Sequence, residues 1–261
     1  MNSLGITLTT DFGDCSPYVA AMKGVILSIH PAVRLFDLSH AIPPQDIRHA
    51  AHFLAAAIPY FPPGLIHVVV VDPGVGSDRA LLYVEVAGHR LLVPDNGCWT
   101  RIPSGDQPPL VRRLTERRFW RPTVSATFHG RDILAPVAAH LSLGIDPALL
   151  GPVVDEWVRL PSPPLRQEPD RMVGEVAFID HFGNLITNIP GEALPIGPLR
   201  ISVAGRQLTG MVRTYADAPA GTLVALVSSQ GTLEIAVVQG NAARTLGVRV
   251  GEMVEVSASS D

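Results

Sequence analysis

The chain predicts an α/β protein, with an N-terminal α/β domain built on a mostly parallel central sheet and a smaller C-terminal antiparallel β-barrel domain. Three observations predict it. Apolar strand-like runs alternate with helical patterns through the first half, the signature of βαβ units. Short apolar runs punctuated by glycine fill the last third, the pattern of a small barrel. Between them Pro161, Pro163, Pro164 and Pro169 fall among polar residues and read as an interdomain linker. The expected division is residues 1–160, a linker over 161–172, and 173–261.

Taken in order, a strand over Ile6–Thr9 leads to a helix near Tyr18–Ile29, a strand over Arg34–Leu38 and a helix over Ile47–Ile58. The next strand, Ile66–Val71, ends in four consecutive valines, an apolar run suited to burial on both faces. Leu81–Val86 and His89–Val93, joined by Ala87-Gly88, read as an antiparallel hairpin added to that sheet, making it mixed. Ile133–Leu143 is a helix with Pro136 in its first turn, where a missing N–H costs little. Beyond the linker, strands are expected at Gly174–Ile179, Arg200–Val203, Thr222–Val227, Leu233–Val238 and Met253–Val256.

Bulk properties narrow the function. A hydrophobic content of 47% supports real cores, and a net charge of −4 without blocks of like charge argues against nucleic-acid and membrane-surface partners. Cys15 and Cys98 lack CxxC spacing, which points to a reduced cytoplasm. No apolar stretch reaches the ~18 residues of a membrane span. Neither GxGxxG, GxxxxGK[ST], GxSxG nor HExxH occurs, so dinucleotide, P-loop and esterase readings lose ground.

The residues that could carry chemistry cluster at predicted loop edges. Asp72 and Arg79 flank the turn Pro73-Gly74-Val75-Gly76 after the valine strand, at the sheet edge where open α/β folds place ligands. Asp11 closes the first strand and reads equally as a grip on a vicinal diol or as a turn residue. Pro-Asp-Asn-Gly (94–97) is turn chemistry before it is function. Phe-His-Gly-Arg-Asp (128–132) sets His129 in a loop before a helix, either free to approach a ligand or a satisfied structural histidine, with Asp132 as a cap or first-turn acid. His49 and His52 have no companion ligands and fit a polar helix face. In the second part, Asn184 can read a purine edge and Phe182 can stack on a ring, or both can belong to a hairpin turn.

Together Thr-Asp-Phe-Gly (10–13), Met-Lys-Gly (22–24), Asp-Leu-Ser-His (37–40), Val-Asp-Pro-Gly-Val-Gly (71–76), Pro-Asp-Asn-Gly, Phe-His-Gly-Arg-Asp, Phe-Gly-Asn-Leu-Ile-Thr-Asn-Ile (182–189) and Gly-Asn-Ala-Ala (240–243) carry a likeness in order and spacing. In them the chain resembles the S-adenosylmethionine (SAM) hydroxide adenosyltransferases, or SAM hydrolases, over nearly its whole length. The resemblance implies attack of water or hydroxide on the ribose C5′, releasing methionine and adenosine. It implies a homotrimer binding SAM between neighbouring subunits, with SAM as substrate, no cofactor and no metal. It puts the catalytic set on Asp72, Arg79 and His129, with Asp72 and Phe128 also touching substrate. Asp11 should hold the ribose hydroxyls, Asn184 the adenine edge, and Phe182 should pack near the base. Asp180, Ser229 and Gln230 should meet the methionine ends, while Glu234, Val238, Asn241 and Ala242 should line the rest of the nucleoside pocket.

Three rivals stand beside it. SAM-dependent halogenases resemble this family but place a tyrosine at the equivalent of Asp72 and a non-glycine residue at Gly130. A metal-dependent hydrolase conflicts with Arg79 and Arg131 among the acids. A SAM- or adenosine-binding protein without turnover would leave SAM intact.

Overall fold

The computed structural model describes residues 5–169 and 171–258. The extreme ends of the two expected domains, and Asp170 of the expected linker, lie outside the described residues. The chain divides into two compact units, Met1–Leu160 and Pro161–Asp261.

The first unit runs β1 (Ile6–Thr10), α1 (Tyr18–Ile29), β2 (Leu35–Ser39), α2 (Ile47–Ala57), β3 (Ile66–Val70), β4 (Leu81–Val86), β5 (His89–Pro94), β6 (Leu110–Arg113) and α3 (Ala135–Ser142). Its sheet has the order β2-β1-β3-β5-β4-β6. The pairings β1–β2, β1–β3 and β3–β5 are parallel, while β4 pairs antiparallel with both β5 and β6. The valine run explains how two cores share one strand. Val68 and Val70 pack into a core with Met22 and Ile26 of α1 and Val137 of α3, whereas Val69 and Val71 pack on the other face with Ala50 and Leu54 of α2.

β6 has no counterpart in the sequence reading. Of its four residues only Val111 is buried, so an edge strand this short and basic carries almost no periodic signal. The helix expected from Ile133 starts earlier, in a wide π-type turn over Gly130–Leu134 that precedes α3. The fully buried Asp132 carboxylate anchors that turn. It accepts from Arg121, from Arg131 and from the Ser125 N–H at 2.8, 2.7 and 2.9 Å. Burial alone would raise its pKa, but these donors hold it down at about 2.

His67, on β3, is fully buried between Thr7 and His89, with contacts of 2.8 and 3.2 Å. Burial, aided by His89, pushes its pKa down to about 3. Because the unfolded chain protonates near 6.5, the neutral ring stabilises the fold above that pH. That contribution is lost progressively as the pH falls from 6.5 towards about 3. Urea midpoints should therefore decline below pH 6.5, and less steeply in His67→Gln; parallel curves for the two proteins would remove His67 as the cause.

The second unit runs β7 (Arg166–Glu168), β8 (Arg171–Ile179), β9 (Leu185–Pro190), β10 (Leu199–Val203), β11 (Arg206–Thr209), β12 (Leu223–Val227), β13 (Thr232–Val237), α4 (Ala242–Leu246) and β14 (Met253–Ala258). Its antiparallel strands follow the order β11-β10-β14-β8-β9-β13-β12, with β7 also on β8. β8 pairs with β14 through Arg171–Glu175 and with β9 through Val176–Ile179, so one long strand carries the sheet round its bend. The Val212 N–H donates to the Ala225 carbonyl at 2.9 Å, nearly closing the barrel beside β12.

Among its described residues, the proline-rich segment contributes β7 and the start of β8. Asn188 Nδ2 donates to the carbonyls of Pro163 and Pro164 at 3.3 and 2.9 Å. Prolines exclude helix but leave carbonyls for such a donor, so their density signals extended chain as readily as a linker.

Candidate active site

The loop after β3 folds back on itself. The Val75 N–H donates to the Asp72 carbonyl at 3.2 Å and the Ser77 N–H to Gly74 at 3.1 Å. Gly76 has φ +84, and a Cβ there would lie 2.7 Å from the Ala126 carbonyl oxygen, so only glycine lets the turn close. The result places Arg79 against Asp72. Its Nε donates to Asp72 Oδ1 at 2.7 Å and its Nη2 to Oδ2, a two-pronged pair with side chains 10% and 7% exposed. Arg79 Nη2 also lies 3.1 Å from His129 Nδ1.

That last contact fixes a protonation state. A guanidinium has no acceptor, so Nδ1 must accept and the ring proton must sit on Nε2. Burial first, and the Arg79 charge second, lower the His129 pKa, against weaker opposing pulls from Asp72 and Asp132. His129 is thus a neutral imidazole offering one N–H. The next residue seats the turn that bears it. A Cβ on Gly130 would lie 3.0 Å from both γ-methyls of Val70, so glycine brings the turn bearing His129 hard against β3.

Asp11 leaves β1 with one carboxylate oxygen taken, Oδ2 accepting from the Gln45 N–H at 2.8 Å. Beside it Phe12, Tyr18 and Phe128 form a ring cluster with centroids 5.3–5.8 Å apart, and the Arg131 guanidinium lies 4.9 Å from the Phe128 ring. Pro-Asp-Asn-Gly braces its surroundings. Asn96 donates to the Val71 carbonyl at 2.8 Å, tying down the residue before Asp72, and Asp95 accepts from the Val158 N–H at 2.9 Å.

The second unit has its own open cleft of about 1410 Å³. Asp180, Phe182, Asn184, Ser229, Gln230 and Glu234 line it, as do Val238 and Asn241. Ala242 does not; it is fully buried in the apolar core at the start of α4. Asp180 accepts from the Asn184 N–H at 2.8 Å and from Asn184 Nδ2 at 2.9 Å. Since a carboxylate only accepts, Nδ2 must face Asp180, leaving Asn184 one N–H and its carbonyl oxygen for a ligand edge. Phe182 is 71% exposed on the cleft wall. Glu234 is buried and its pKa is raised by burial and by nearby Asp180, although the Tyr215 hydroxyl donates to it. Tyr215 escaped the sequence reading, because nothing local marks a tyrosine in a polar loop as the partner of an acid nineteen residues on.

Asn241 caps α4, its Oδ1 accepting from the Arg244 N–H at 2.7 Å, and its amide presses on Gly183, where an added Cβ would fall 2.1 Å away at φ +86. Gly183→Ala should therefore strain the backbone and dislodge the cap, lowering stability by about 1–3 kcal/mol. An unchanged urea midpoint would show that the loop adapts.

Two family models match the chain, the SAM hydroxide adenosyltransferase N-terminal domain over residues 6–151 and its C-terminal domain over 174–255. The chain is 41% identical to an (R)-S-adenosyl-L-methionine hydrolase of Salinispora tropica, covering 97% of each. It is also 41% identical to one from Thermus thermophilus, covering 95% of this chain and 97% of that one. A fluorinase of Nocardia brasiliensis is more distant, at 27% identity with 96% of each covered. The crystal structure of a conserved protein from Thermotoga maritima superposes with a TM-score of 0.87 at 32% identity, covering 97% of this chain and 99% of that one.

Proposed function

The chain belongs to the SAM hydroxide adenosyltransferase family, and on that premise we propose that it hydrolyses SAM to adenosine and methionine through Asp72, Arg79 and His129. The supporting observation is the contact from Arg79 to His129 Nδ1, which leaves a neutral imidazole with its Nε2–H free to donate. The sulfonium is already an activated leaving group, so the reaction needs an oriented nucleophile and no acid. Water oxygen forms the bond to C5′ as the C5′–S bond breaks, the electron pair leaves on the neutral thioether of methionine, and the water proton passes to solvent. Guanidinium and imidazole N–H groups favour hydroxide over water at that position, and positioning supplies several kcal/mol more. Asp72 holds Arg79 in register, and its negative charge opposes a halide in the same place.

Asp11 holds the ribose hydroxyls and Phe128 packs near them, in this reading. Asn184 takes the adenine edge with Phe182 beside the base, and Glu234, Val238 and Asn241 complete that pocket. Asp180, Ser229 and Gln230 receive the methionine ends. The working unit is a homotrimer with sites at subunit interfaces, in the cytoplasm, where Cys15 and Cys98 stay reduced. It needs no cofactor besides the substrate.

Turnover of SAM in ¹⁸O-water tests the reaction. Label in the 5′-hydroxyl of adenosine is the expected result, and unlabelled adenosine, or none, would overturn it. Light scattering should give a trimer; a monomer would contradict the interface sites. Asp11→Ala should raise KM for SAM about 10- to 100-fold, as expected for losing hydrogen bonds to a charged acceptor. An unchanged KM would remove Asp11 from the ribose.

A further inference from the structure

A second cavity of about 590 Å³ opens in the first unit beside the catalytic set, sharing Arg79 and His129 as wall residues. Three more arginines line it, Arg113, Arg117 and Arg121, together with an apolar side that includes Trp120, Val124 and Ile133. The charges around it do not balance. Asp72 neutralises Arg79, and Asp132 is shared between Arg121 and Arg131. Glu116 is taken by Arg118. Arg113 and Arg117 form no ion pair among the described residues, and Arg117 instead lies 5.9 Å from the Trp120 ring. The wall therefore carries surplus positive charge in a chain whose net charge is −4.

We propose that this cavity is a binding site for a small anion bearing a phosphate or carboxylate group on a compact apolar body. Arginine forks match the paired oxygens of both groups, and the volume falls within the range of small-molecule pockets. An anion seated here competes with Asp72 for the Arg79 guanidinium and weakens its hold on His129 Nδ1, so occupancy lowers kcat. That coupling rests on the catalytic reading of Arg79 and His129; the binding itself does not.

Calorimetric titration of the full-length protein with inorganic phosphate, phenyl phosphate and benzoate at fixed ionic strength tests the site without turnover. Saturable binding is expected, with Kd on the order of 1 mM or below, tighter for phenyl phosphate than for inorganic phosphate. The Arg113→Ser/Arg117→Ser protein should bind at least ~10-fold more weakly while hydrolysing SAM at a normal rate in anion-free buffer. If phenyl phosphate binds and benzoate does not, the ligand is a phosphate; the reverse makes it a carboxylate. Absence of saturation, or equal binding by the double variant, would overturn the site. Binding without any loss of kcat would leave the site standing and overturn the coupling.

Discussion

His129→Ala should hydrolyse SAM about 10²- to 10³-fold more slowly, with KM for SAM unchanged within about threefold. The ring accepts from Arg79 through Nδ1, which leaves Nε2–H as its one remaining donor. A donor that meets charge only as hydroxide develops stabilises the transition state more than bound SAM, so its loss falls on kcat. His129→Asn keeps an acceptor oxygen and N–H donors on a shorter arm and should restore part of the rate. Stopped-assay kinetics on both variants check this. A kcat within threefold of the parent in the alanine variant would leave Arg79 alone with the nucleophile.

Arg79→Ala should be the most damaging single change, because it strikes stability and chemistry together. Asp72 is only 7% exposed, and losing its two-pronged partner leaves a nearly buried carboxylate without a counter-charge, at a cost of about 3–5 kcal/mol. Activity should fall at least ~10²-fold through the lost guanidinium and the released imidazole. The Asp72→Ala/Arg79→Ala double variant separates the two effects. It should be more stable than Arg79→Ala, since no orphan charge remains, yet equally inactive. If the double variant is the less stable, the cost of Arg79→Ala comes from packing and not from the orphaned charge.

Much of the fold could be read from pattern because burial is periodic. Val68 to Val71 alternate between two cores, and the helix at Tyr18–Ile29 has the bounds that its apolar spacing predicts. What could not be read lacks that periodicity. β6 buries one side chain, β9 mixes a buried Thr187 with apolar neighbours, and the turn at Gly130–Leu134 depends on clearance from a strand sixty residues earlier. The candidate site divides the same way. Asp72, Arg79 and His129 stand out as polar groups at predicted strand and helix edges. Their mutual geometry, and hence which nitrogen of His129 bears the proton, is a property of three dimensions. Asp95 and Asn96 looked equally polar in sequence, and only their backbone partners reveal them as braces.

The missing side chain at residue 130 acts as a spacer of zero thickness. With 3.0 Å from a Cβ position to each Val70 methyl, a side chain there obliges the turn or the valine to give by a few tenths of an ångström. The turn that carries His129, whose Nδ1 lies 3.1 Å from Arg79 Nη2, is thus seated by a clearance as well as by contacts. Altering residue 130 would therefore reseat that turn without changing any group of the proposed catalytic set.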